Sequence, residues 1–290
     1  MLKNFNGKLS KPLSVALGFF DGVHNGHRKL IEIAKSQGYN TAVFTFKGKF
    51  FKNSKGSVYT FSEKAELLKD LGVQYVIYAK TTQDFFNMGA IEFLQSFISR
   101  FNVKTFVCGK DFTFGKNAEG TIETLRNFCL KHDINFIVAD TQTYNGVKIS
   151  SAKIKELLKN GQIKTANELL GSPYFITGKV LKGRGVGTKS VFPTANLTIN
   201  KNKILLKSGV YATKTLYNGV LYNSLTNFGN CPTFNLQKPL IETHLLNFNG
   251  NLYGEKIKIY FLDYLREIKI FKNSEELKEQ IQKDMGYFND

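Results

Sequence analysis

Two of the four histidines in the chain, His24 and His27, lie three residues apart in the stretch GFFDGVHNGH. Paired imidazoles can donate hydrogen bonds to phosphate oxygens, and these bonds strengthen as negative charge develops there. The run SVALGFF predicts a strand, Gly22 and Gly26 allow a tight loop against a ligand, and His27 is predicted to open a helix. The first turn of a helix is an anion site because its N–H groups are free. The pattern predicts attack on an α-phosphate with pyrophosphate leaving, which needs positioning and electrostatics but no protein nucleophile.

A second pattern suited to phosphate chemistry is GKVLKGRGVGTKSVFPTANL, residues 178–197. Its glycines allow a loop to wrap phosphates with backbone N–H groups, although spaced glycines alone are more typical of a plain hairpin loop. Thr194 and Asn196 are two positions apart, so they point to the same side of an extended strand. Their oxygens are hard ligands of the kind that Mg²⁺ takes beside nucleotide phosphates. A buried polar pair is the alternative interpretation.

Apolar runs alternate with helical patterns across the first half of the chain. The predicted strands are SVALGFF, TAVFTF, YVIYA, TFVCG and INFIVAD, and the helical patterns include HRKLIEIAKSQ, FSEKAELLKDLG and GAIEFLQSFISRF. Thr60 and Glu63 have the spacing of a capping box at the second of these helices. Strands alternating with helices of this length predict a doubly wound parallel sheet with helices on both faces. Ligands bind such sheets outside the carboxyl ends of the strands, where the histidine loop lies.

The pattern changes near residue 165, after which strand signals dominate. The predicted strands are YFITGKVL, GVYATKTL, LYNSLTNF, LIETHLLNF and KIKIYFLDYL, and the Asn-Gly pairs in YNGV and FNGN are typical of hairpin turns. The final helix, SEELKEQIQKDMGYF, has Ser274 as its predicted N-cap. We therefore predict an α/β domain over residues 1–170 and a small antiparallel β-barrel with a C-terminal helix over residues 171–290.

The composition limits the classes of protein that the chain can belong to. It has 290 residues, 42% of them hydrophobic, a net charge of +17 and no apolar run long enough to span a membrane. The charge is compatible with an anionic partner, but most of it is Lys spread along the whole chain, which favours compositional bias over a nucleic-acid surface. Cys108, Cys129 and Cys231 have neither disulfide nor metal-ligand spacing, so we expect reduced thiols in a cytoplasmic protein.

The stretch GFFDGVHNGH resembles the HxGH signature of the nucleotidylyltransferase superfamily, in the form found in prokaryotic bifunctional riboflavin kinase/FMN adenylyltransferases. The segments VCGKDFTFGKNAEGT and ISSAKIKELLKNGQIKTANELLGSPY are similar to later segments of that family. The resemblance implies two groups of site residues in the N-terminal domain. The group implied for ATP is Gly18, Phe19, Asp21, His24, His27, Ser150, Ser151, Lys153 and Lys155. The group implied for the flavin is Phe46, Asp111, Phe112 and Phe114.

The remainder of the chain resembles the riboflavin kinase domain of the same family. FPTAN, SGVYA, NFGNCPTF, IETHLLNFNGNLYG and LREIKIFKNSEELKEQIQKD follow in the family order. The resemblance implies that Thr194 and Asn196 bind Mg²⁺–ATP and that Glu242 is the general base for the ribityl hydroxyl. It also implies that Arg266 lies near the flavin. The glycines that it assigns to ATP are Gly178, Gly183 and Gly187.

The chain departs from the family pattern at several positions. Ala152 replaces the usual Thr, and Lys153 and Lys155 replace Arg, which keeps the charge but loses the bidentate fork. FTFKGKF lacks the prolines usual after the flavin-side strand. Three replacements in the kinase half, which remove neither a metal ligand nor the base, are Ser190, Val191 and Cys231.

We expect the chain to convert riboflavin to FMN in the C-terminal domain and FMN to FAD in the N-terminal domain, with ATP and Mg²⁺ in both reactions. One alternative is an enzyme that retains a single activity, the adenylyltransferase half being the one in question. A second alternative, from another class, is a basic nucleic-acid-binding protein, which leaves FPTAN and Glu242 unexplained. We expect small-molecule substrates and neither nucleic-acid nor membrane partners, and the sequence leaves the oligomeric state open.

Overall fold

The computed structural model describes residues 1–48, 56–181, 194–229 and 240–289. The chain forms two compact units, the sheet unit Met1–Ser151 and the barrel unit Ala152–Asp290. The domain boundary predicted from the sequence lies at residue 170 instead, and two helices lie between these positions. Their assignment to the N-terminal functional domain stays a prediction. No helix in the described ranges combines the length and apolar character needed to cross a membrane.

The sheet unit is built on six parallel strands. In chain order they are β1 (Leu2–Asn4), β2 (Leu9–Leu17), β3 (Asn40–Lys47), β4 (Tyr75–Lys80), β5 (Phe101–Gly109) and β6 (Asn135–Ala139). Their spatial order is β1-β4-β3-β2-β5-β6, so the direction of strand addition reverses between β2 and β5. Ligands bind open α/β sheets in the crevice at such a reversal.

Helices cover both faces of this sheet, which confirms the doubly wound prediction. They are α1 (Asn25–Lys35), α2 (Phe61–Asp70), α3 (Gln83–Asn87), α4 (Ala90–Ile98) and α5 (Ile122–Lys131). Neighbouring residues of β2 point to opposite faces. Ala16 packs in one core with residues of α1 and α2, whereas Leu17 packs in a second core with residues of α4 and α5. A small hairpin, β7 (Thr143–Tyr144) and β8 (Val147–Lys148), follows the sheet.

The helix starts show one local prediction confirmed and one corrected. The capping box of α2 is present, since the Glu63 N–H donates to Thr60 Oγ1 (3.3 Å) and the Thr60 N–H donates to Glu63 Oε2 (2.8 Å). The prediction that His27 opens a helix is wrong by two residues, because α1 begins at Asn25 with His24 as its N-cap. Gly26 therefore lies in the first helical turn rather than in the loop.

Helix α6 (Ser151–Lys159) begins at the last residue of the sheet unit, and the rest of it opens the barrel unit. It is followed by α7 (Ile163–Leu170) and then by a closed six-strand barrel. The strands are β9 (Tyr174–Leu181), β10 (Ala195–Thr198), β11 (Gly209–Tyr217), β12 (Val220–Gly229), β13 (Leu240–Leu245) and β14 (Lys256–Arg266). Every pairing is antiparallel, in the order β10-β13-β12-β11-β14-β9. The predicted barrel and its C-terminal helix, α8 (Ser274–Met285), are confirmed.

The two predicted Asn-Gly hairpins have different outcomes. Asn218 (φ 47°) and Gly219 (φ 80°) both adopt positive φ between β11 and β12, as a type I′ turn requires. The FNGN prediction is wrong, because β13 pairs with β10 and β12 and not with β14. The N-cap of α8 is Asn273, whose Oδ1 accepts the Glu276 N–H (2.9 Å), and not the predicted Ser274.

Hydroxyl groups fill part of the barrel interior. They belong to five fully buried residues on three neighbouring strands, Thr213, Thr215, Ser224, Thr226 and Thr243. Four side-chain hydrogen bonds of 2.8 Å join them in a continuous chain. Each hydroxyl thus finds a partner within the barrel wall, as buried polar groups require.

Two candidate active sites

The loop that leads from β2 to α1 has an unusual backbone. Phe20 (φ 53°), Gly22 (φ 92°) and Val23 (φ 46°) all have positive φ. A positive φ is costly for bulky and β-branched side chains, and such residues persist only where their surroundings hold them. Phe20 and Val23 are fully buried in the core beneath α1. Core packing therefore fixes this loop and sets His24 at the start of the helix.

The histidine pair is stacked and electrically neutral at physiological pH. The ring centroids of His24 and His27 are 3.8 Å apart, and the Phe20 ring lies 4.7 Å from His27. Burial lowers the pKa of His24 to about 4, although Asp21 acts in the opposite direction. Burial, His24 and Lys64 lower the pKa of His27 well below its ordinary value. A neutral imidazole still donates one N–H, so both residues can serve as uncharged hydrogen-bond donors.

The start of α1 is arranged for an anion. His24 gives the helix no side-chain cap, and the first turn contains no acidic residue. The Nδ1 atoms of His24 and His27 are buried, and no described residue forms a hydrogen bond with them. The positive end of the helix dipole and these ring nitrogens together can accommodate phosphate oxygens.

Asp21 and Ser151 hold the loop in place. Asp21 Oδ1 accepts the Val58 N–H (2.8 Å), and the Asp21 carbonyl accepts a hydrogen bond from Ser151 Oγ. The structure thus brings Ser151, at the start of α6, next to the histidine loop, with Ser150 directly before it. Lys153 pairs with Glu156 one turn along its own helix (2.9 Å). The proposed contact of Lys153 and Lys155 with phosphate stays a prediction.

Aromatic side chains line the ends of the strands beside this loop. Phe19 and Phe46, which follow β2 and end β3, have ring centroids 5.6 Å apart. At the end of β5, Phe112 stacks on Phe114 (5.6 Å, 16°), and Phe114 is buried in the core. Asp111 is exposed, forms an ion pair with Lys148, and shares with Phe112 a cleft of about 530 Å³. A Cβ on Gly18 would lie 3.0 Å from the Phe20 ring, so a side chain there would require this buried ring to shift.

The second candidate site is a row of polar side chains across three strands of the barrel. Glu242 of β13 pairs directly with Asn196 of β10 and with Asn227 of β12. Directly paired residues project from the same face of a sheet. Thr194 Oγ1 donates a hydrogen bond to Glu242 Oε1 (2.7 Å). Donating this proton does not use the lone pairs of the Thr194 oxygen. Asn227 was missed by the sequence analysis, although it begins the segment NFGNCPTF.

This row fits a hard cation bound together with phosphates. The Oδ1 atoms of Asn196 and Asn227 are buried and have no hydrogen-bond partner within the described part of the chain. Two amide oxygens, a hydroxyl and a carboxylate are the donor types that Mg²⁺ prefers. Within the described ranges, no cluster of three or more His, Cys, Asp or Glu could hold a metal. The donor set therefore suits Mg²⁺ that shares its coordination with a nucleotide rather than a cage made by protein alone.

The other residues assigned to the kinase half have different surroundings. A Cβ on Gly178 would lie 2.7 Å from the Leu197 side chain, so this glycine permits close packing of β9 against β10. Gly183 and Gly187 lie outside the described residues. The Arg266 guanidinium forms a bidentate pair with buried Asp284 of α8 (2.7 and 3.0 Å). This pair anchors α8 to the end of β14.

The two folds and their phosphate-directed side chains define an ATP-dependent transferase with two active sites. A family model described as FAD synthetase matches residues 7–153, and one described as riboflavin kinase matches residues 170–290. A relative from Bacillus subtilis (strain 168), described as a bifunctional riboflavin kinase/FMN adenylyltransferase, is 37% identical over 93% of this chain and 89% of its own. The chain belongs to the bifunctional riboflavin kinase/FMN adenylyltransferase family.

Two further comparisons agree with this placement. A relative of the same description from Escherichia coli (strain K12) is 31% identical over 93% of this chain and 90% of its own. A crystal structure described as a macrolide-efflux protein from Streptococcus pneumoniae is 27% identical, with a TM-score of 0.88 over 98% of this chain and 97% of that one. The efflux activity in that description belongs to the other protein, and the similarity supports the fold.

Proposed function

We propose that this chain phosphorylates riboflavin to FMN in the barrel unit and adenylylates FMN to FAD in the sheet unit, with ATP as co-substrate of both reactions. The observation that carries the proposal is that both candidate sites keep their reactive groups in position. The histidine pair is stacked at the start of α1, and Glu242 is hydrogen-bonded to Thr194. The first of these observations also speaks against loss of the adenylyltransferase activity.

In FMN adenylylation, a phosphate oxygen of FMN attacks the α-phosphorus of ATP, and the bond to the β-phosphate oxygen breaks. The nucleophile is already an anion, so no protein base is required. His24 and His27 donate hydrogen bonds to the phosphate oxygens, and these bonds are strongest in the transition state, where charge builds up on the leaving pyrophosphate. Residues 18–21 and the two serines hold the ATP side, whereas Phe46, Asp111, Phe112 and Phe114 hold the flavin side.

In riboflavin phosphorylation, the attacking group is a neutral ribityl hydroxyl, which must lose its proton. Glu242 accepts that proton as the hydroxyl oxygen attacks the γ-phosphorus and ADP leaves. Thr194 Oγ1 and Asn196 Oδ1 would hold Mg²⁺ together with the nucleotide. When bound, Mg²⁺ neutralises charge on the β- and γ-phosphates. Arg266 is proposed to fix the end of β14 near the flavin.

We also propose a cytoplasmic location. Cys108 and Cys129 are buried and unbridged, and burial raises the pKa of each thiol to about 12. Such thiols are unreactive, as expected for structural cysteines of a reducing compartment. Cys231 lies outside the described residues. The proposed partners are the small-molecule substrates alone.

Product analysis tests the proposed function. The chain is incubated with riboflavin, ATP and Mg²⁺, and separately with FMN, ATP and Mg²⁺, and the flavins are separated by chromatography. We expect FMN and FAD in the first reaction and FAD in the second. FMN without FAD in both would favour the single-activity alternative, and neither product, with salt-sensitive binding to DNA or RNA, would favour the nucleic-acid alternative.

A further inference from the structure

Lys64 of α2 is a buried lysine with no part in the mechanism described so far. It is 6% exposed, and its Nζ donates hydrogen bonds to the Phe19 carbonyl (3.1 Å), Thr45 Oγ1 (2.7 Å) and the Phe46 carbonyl (3.3 Å). An ammonium group has three N–H donors, and all three are used here. The geometry therefore fits the charged form of the side chain.

The charge of Lys64 is not balanced by an ion pair. Within the described residues, no carboxylate lies within ion-pair distance of its Nζ, and the Phe19 ring lies 5.3 Å away. Burial lowers the pKa of Lys64 to about 8, although Asp21 acts in the opposite direction. A buried, unpaired ammonium is costly to keep, so its retention calls for a compensating role.

The three acceptors of Lys64 connect the two substrate walls. Phe19 belongs to the proposed ATP side, and Phe46 belongs to the proposed flavin side. Thr45 Oγ1 also donates to the Phe19 carbonyl (2.7 Å), so one cluster of hydrogen bonds ties the end of β2 to the end of β3. The same charge acts on His27, whose pKa it lowers. Lys64 thus lies where two anionic substrates must approach each other.

We propose that Lys64 is a positioning residue for FMN adenylylation: its ammonium group sets the facing walls formed by Phe19 and Phe46 and provides buried positive charge for the two substrate phosphates. The proposal rests on the proposed function. Two polyanions repel each other, and a fixed positive charge in a water-poor site reduces that repulsion without reorganisation during the reaction.

The test compares Lys64→Met and Lys64→Arg with Lys69→Met, a control at an exposed lysine of the same helix. We expect Lys64→Met to lower kcat/KM for FAD formation by about 10²-fold, the scale of losing one preorganised charge, while Lys64→Arg loses less. Riboflavin phosphorylation in the same preparations and the Lys69→Met variant should be unchanged. FAD formation within about threefold of wild type in a folded Lys64→Met protein would overturn the proposal.

The pH dependence of FAD formation distinguishes this positioning role from a purely structural one, because only the positioning role depends on the charge of Lys64. Asp21 and His27 are the other titratable groups whose charges act in this region, and burial lowers the pKa of His27 well below its ordinary value. In the wild type, kcat/KM for FAD formation should fall above about pH 8, and kcat should fall only at higher pH, because bound phosphates hold the proton on Lys64. A kcat/KM that stays flat to about pH 9.5 would overturn the proposal even if Lys64→Met fails to fold. A wild-type protein that makes no FAD would instead refute the proposed function.

In the barrel unit, Asn227 lies next to the proposed general base Glu242. Asn227 and Asn196 flank Glu242 in one cross-strand row, so their Cβ atoms lie about 5 Å from that of Glu242. Asn196 and Asn227 each have a buried Oδ1 with no hydrogen-bond partner among the residues that the structure describes. An unpaired buried amide oxygen is costly, and two such atoms beside one carboxylate call for a shared ligand.

We infer that Asn227 is a further residue of the metal–nucleotide site of the kinase, where its amide oxygen supplements those of Thr194 and Asn196. This inference also rests on the proposed function. The test uses Asn227→Leu and Asn227→Asp, with Asn223→Leu as the control at an exposed position of the same strand. Binding of Mn²⁺–ADP, followed by electron paramagnetic resonance, reports on the site without turnover.

We expect Asn227→Leu to weaken Mn²⁺–ADP binding by about tenfold, whereas Asn227→Asp, which keeps an oxygen ligand, retains it. FAD formation from FMN should be unchanged in all three variants. Unaltered Mn²⁺–ADP binding by a folded Asn227→Leu protein would overturn the inference. If Asn227→Leu does not fold, weaker Mn²⁺–ADP binding by Asn227→Asp would overturn the inference instead. Wild-type protein without riboflavin kinase activity would refute the proposed function, not this inference alone.

Discussion

The two candidate sites of this chain use the same co-substrate, ATP, but they are built from different chemical groups. In the sheet unit, the site consists of a helix start, a loop with positive φ and two neutral imidazoles, and no acidic residue lies in the first turn of α1. In the barrel unit, the site is a row of side chains around the carboxylate of Glu242. The difference follows from the attacking group, since the FMN phosphate is already an anion and the riboflavin hydroxyl must first lose a proton. The nucleophile, not ATP, therefore decides which site needs a base.

The largest effect that separates the two sites is expected from Glu242→Gln. The amide keeps the size of the side chain but cannot accept the hydroxyl proton, so riboflavin phosphorylation should fall by about 10³-fold. FMN adenylylation should be unchanged in the same preparation. Initial rates of FMN formation from riboflavin and of FAD formation from FMN provide the measurement. If kinase turnover stayed within a few-fold of wild type, Glu242 would not be the general base.

The histidine variants should have the opposite effect, lowering FAD formation while leaving riboflavin phosphorylation unchanged. His24→Ala and His27→Ala should each lower the rate of FAD formation by about 10²-fold, with smaller changes in ATP affinity. The double variant should lose less than the product of the single losses, because both side chains serve one leaving group. Steady-state FAD synthesis with FMN supplied measures this, and riboflavin kinase activity is the internal control. A fall in both activities would indicate a folding defect rather than a chemical one.

The neutral state of His24 also predicts how the stability of the sheet unit depends on pH. Its pKa is lowered to about 4 in the folded chain, from 6.5, so the unfolded state binds the proton more readily. The stabilisation is complete above pH 6.5 and is lost as the pH falls towards 4, a change of about 3 kcal/mol in the free energy of unfolding.

Urea unfolding at about pH 7 and about pH 4.5 measures this dependence, and His24→Gln should reduce it. The matched control is His132→Gln, which changes an exposed histidine at the end of α5. An identical pH dependence in the wild type and His24→Gln would show that His24 is not held neutral by burial.

The smallest effect is expected at the proposed metal ligands. Thr194→Ala and Asn196→Leu should each raise the Mg²⁺ concentration needed for half-maximal kinase rate by about tenfold, because each removes one oxygen donor. FMN adenylylation should keep its Mg²⁺ dependence. Titration of both activities with Mg²⁺ makes the comparison, and unchanged curves for the kinase would place the metal elsewhere.

The sequence predicted the elements of both units well, because hydrophobic periodicity depends on residues close in the chain. YFITGKVL coincides with β9, and the strand before the histidine loop is β2 with its last three predicted residues in the loop. The FNGN prediction failed because an Asn-Gly pair reports local turn preference, whereas strand order is decided by packing of the whole barrel.

The residues of the candidate sites likewise differ in whether they could be predicted from local sequence. His24 and His27 could be found from sequence, since the loop that places them is continuous. Asn227 and Lys64 could not be found in this way, because a cross-strand register and the burial of a lysine arise from residues distant in the chain. The burial that keeps His24 and His27 neutral likewise depends on tertiary packing, such as that of the Phe20 ring against His27.

The hydroxyl chain inside the barrel has a consequence for how this sequence can evolve. Thr213 bonds to both Ser224 and Thr226, so replacing it alone by Val would remove two of the four hydrogen bonds that join these hydroxyls, at a cost of about 1–3 kcal/mol. Replacing all the partners together by apolar residues of similar shape would be nearly neutral. Single substitutions at these positions are therefore selected against, while concerted ones are tolerated. We expect the barrel interiors of diverging lineages to differ by whole sets of residues, with few surviving intermediates between them.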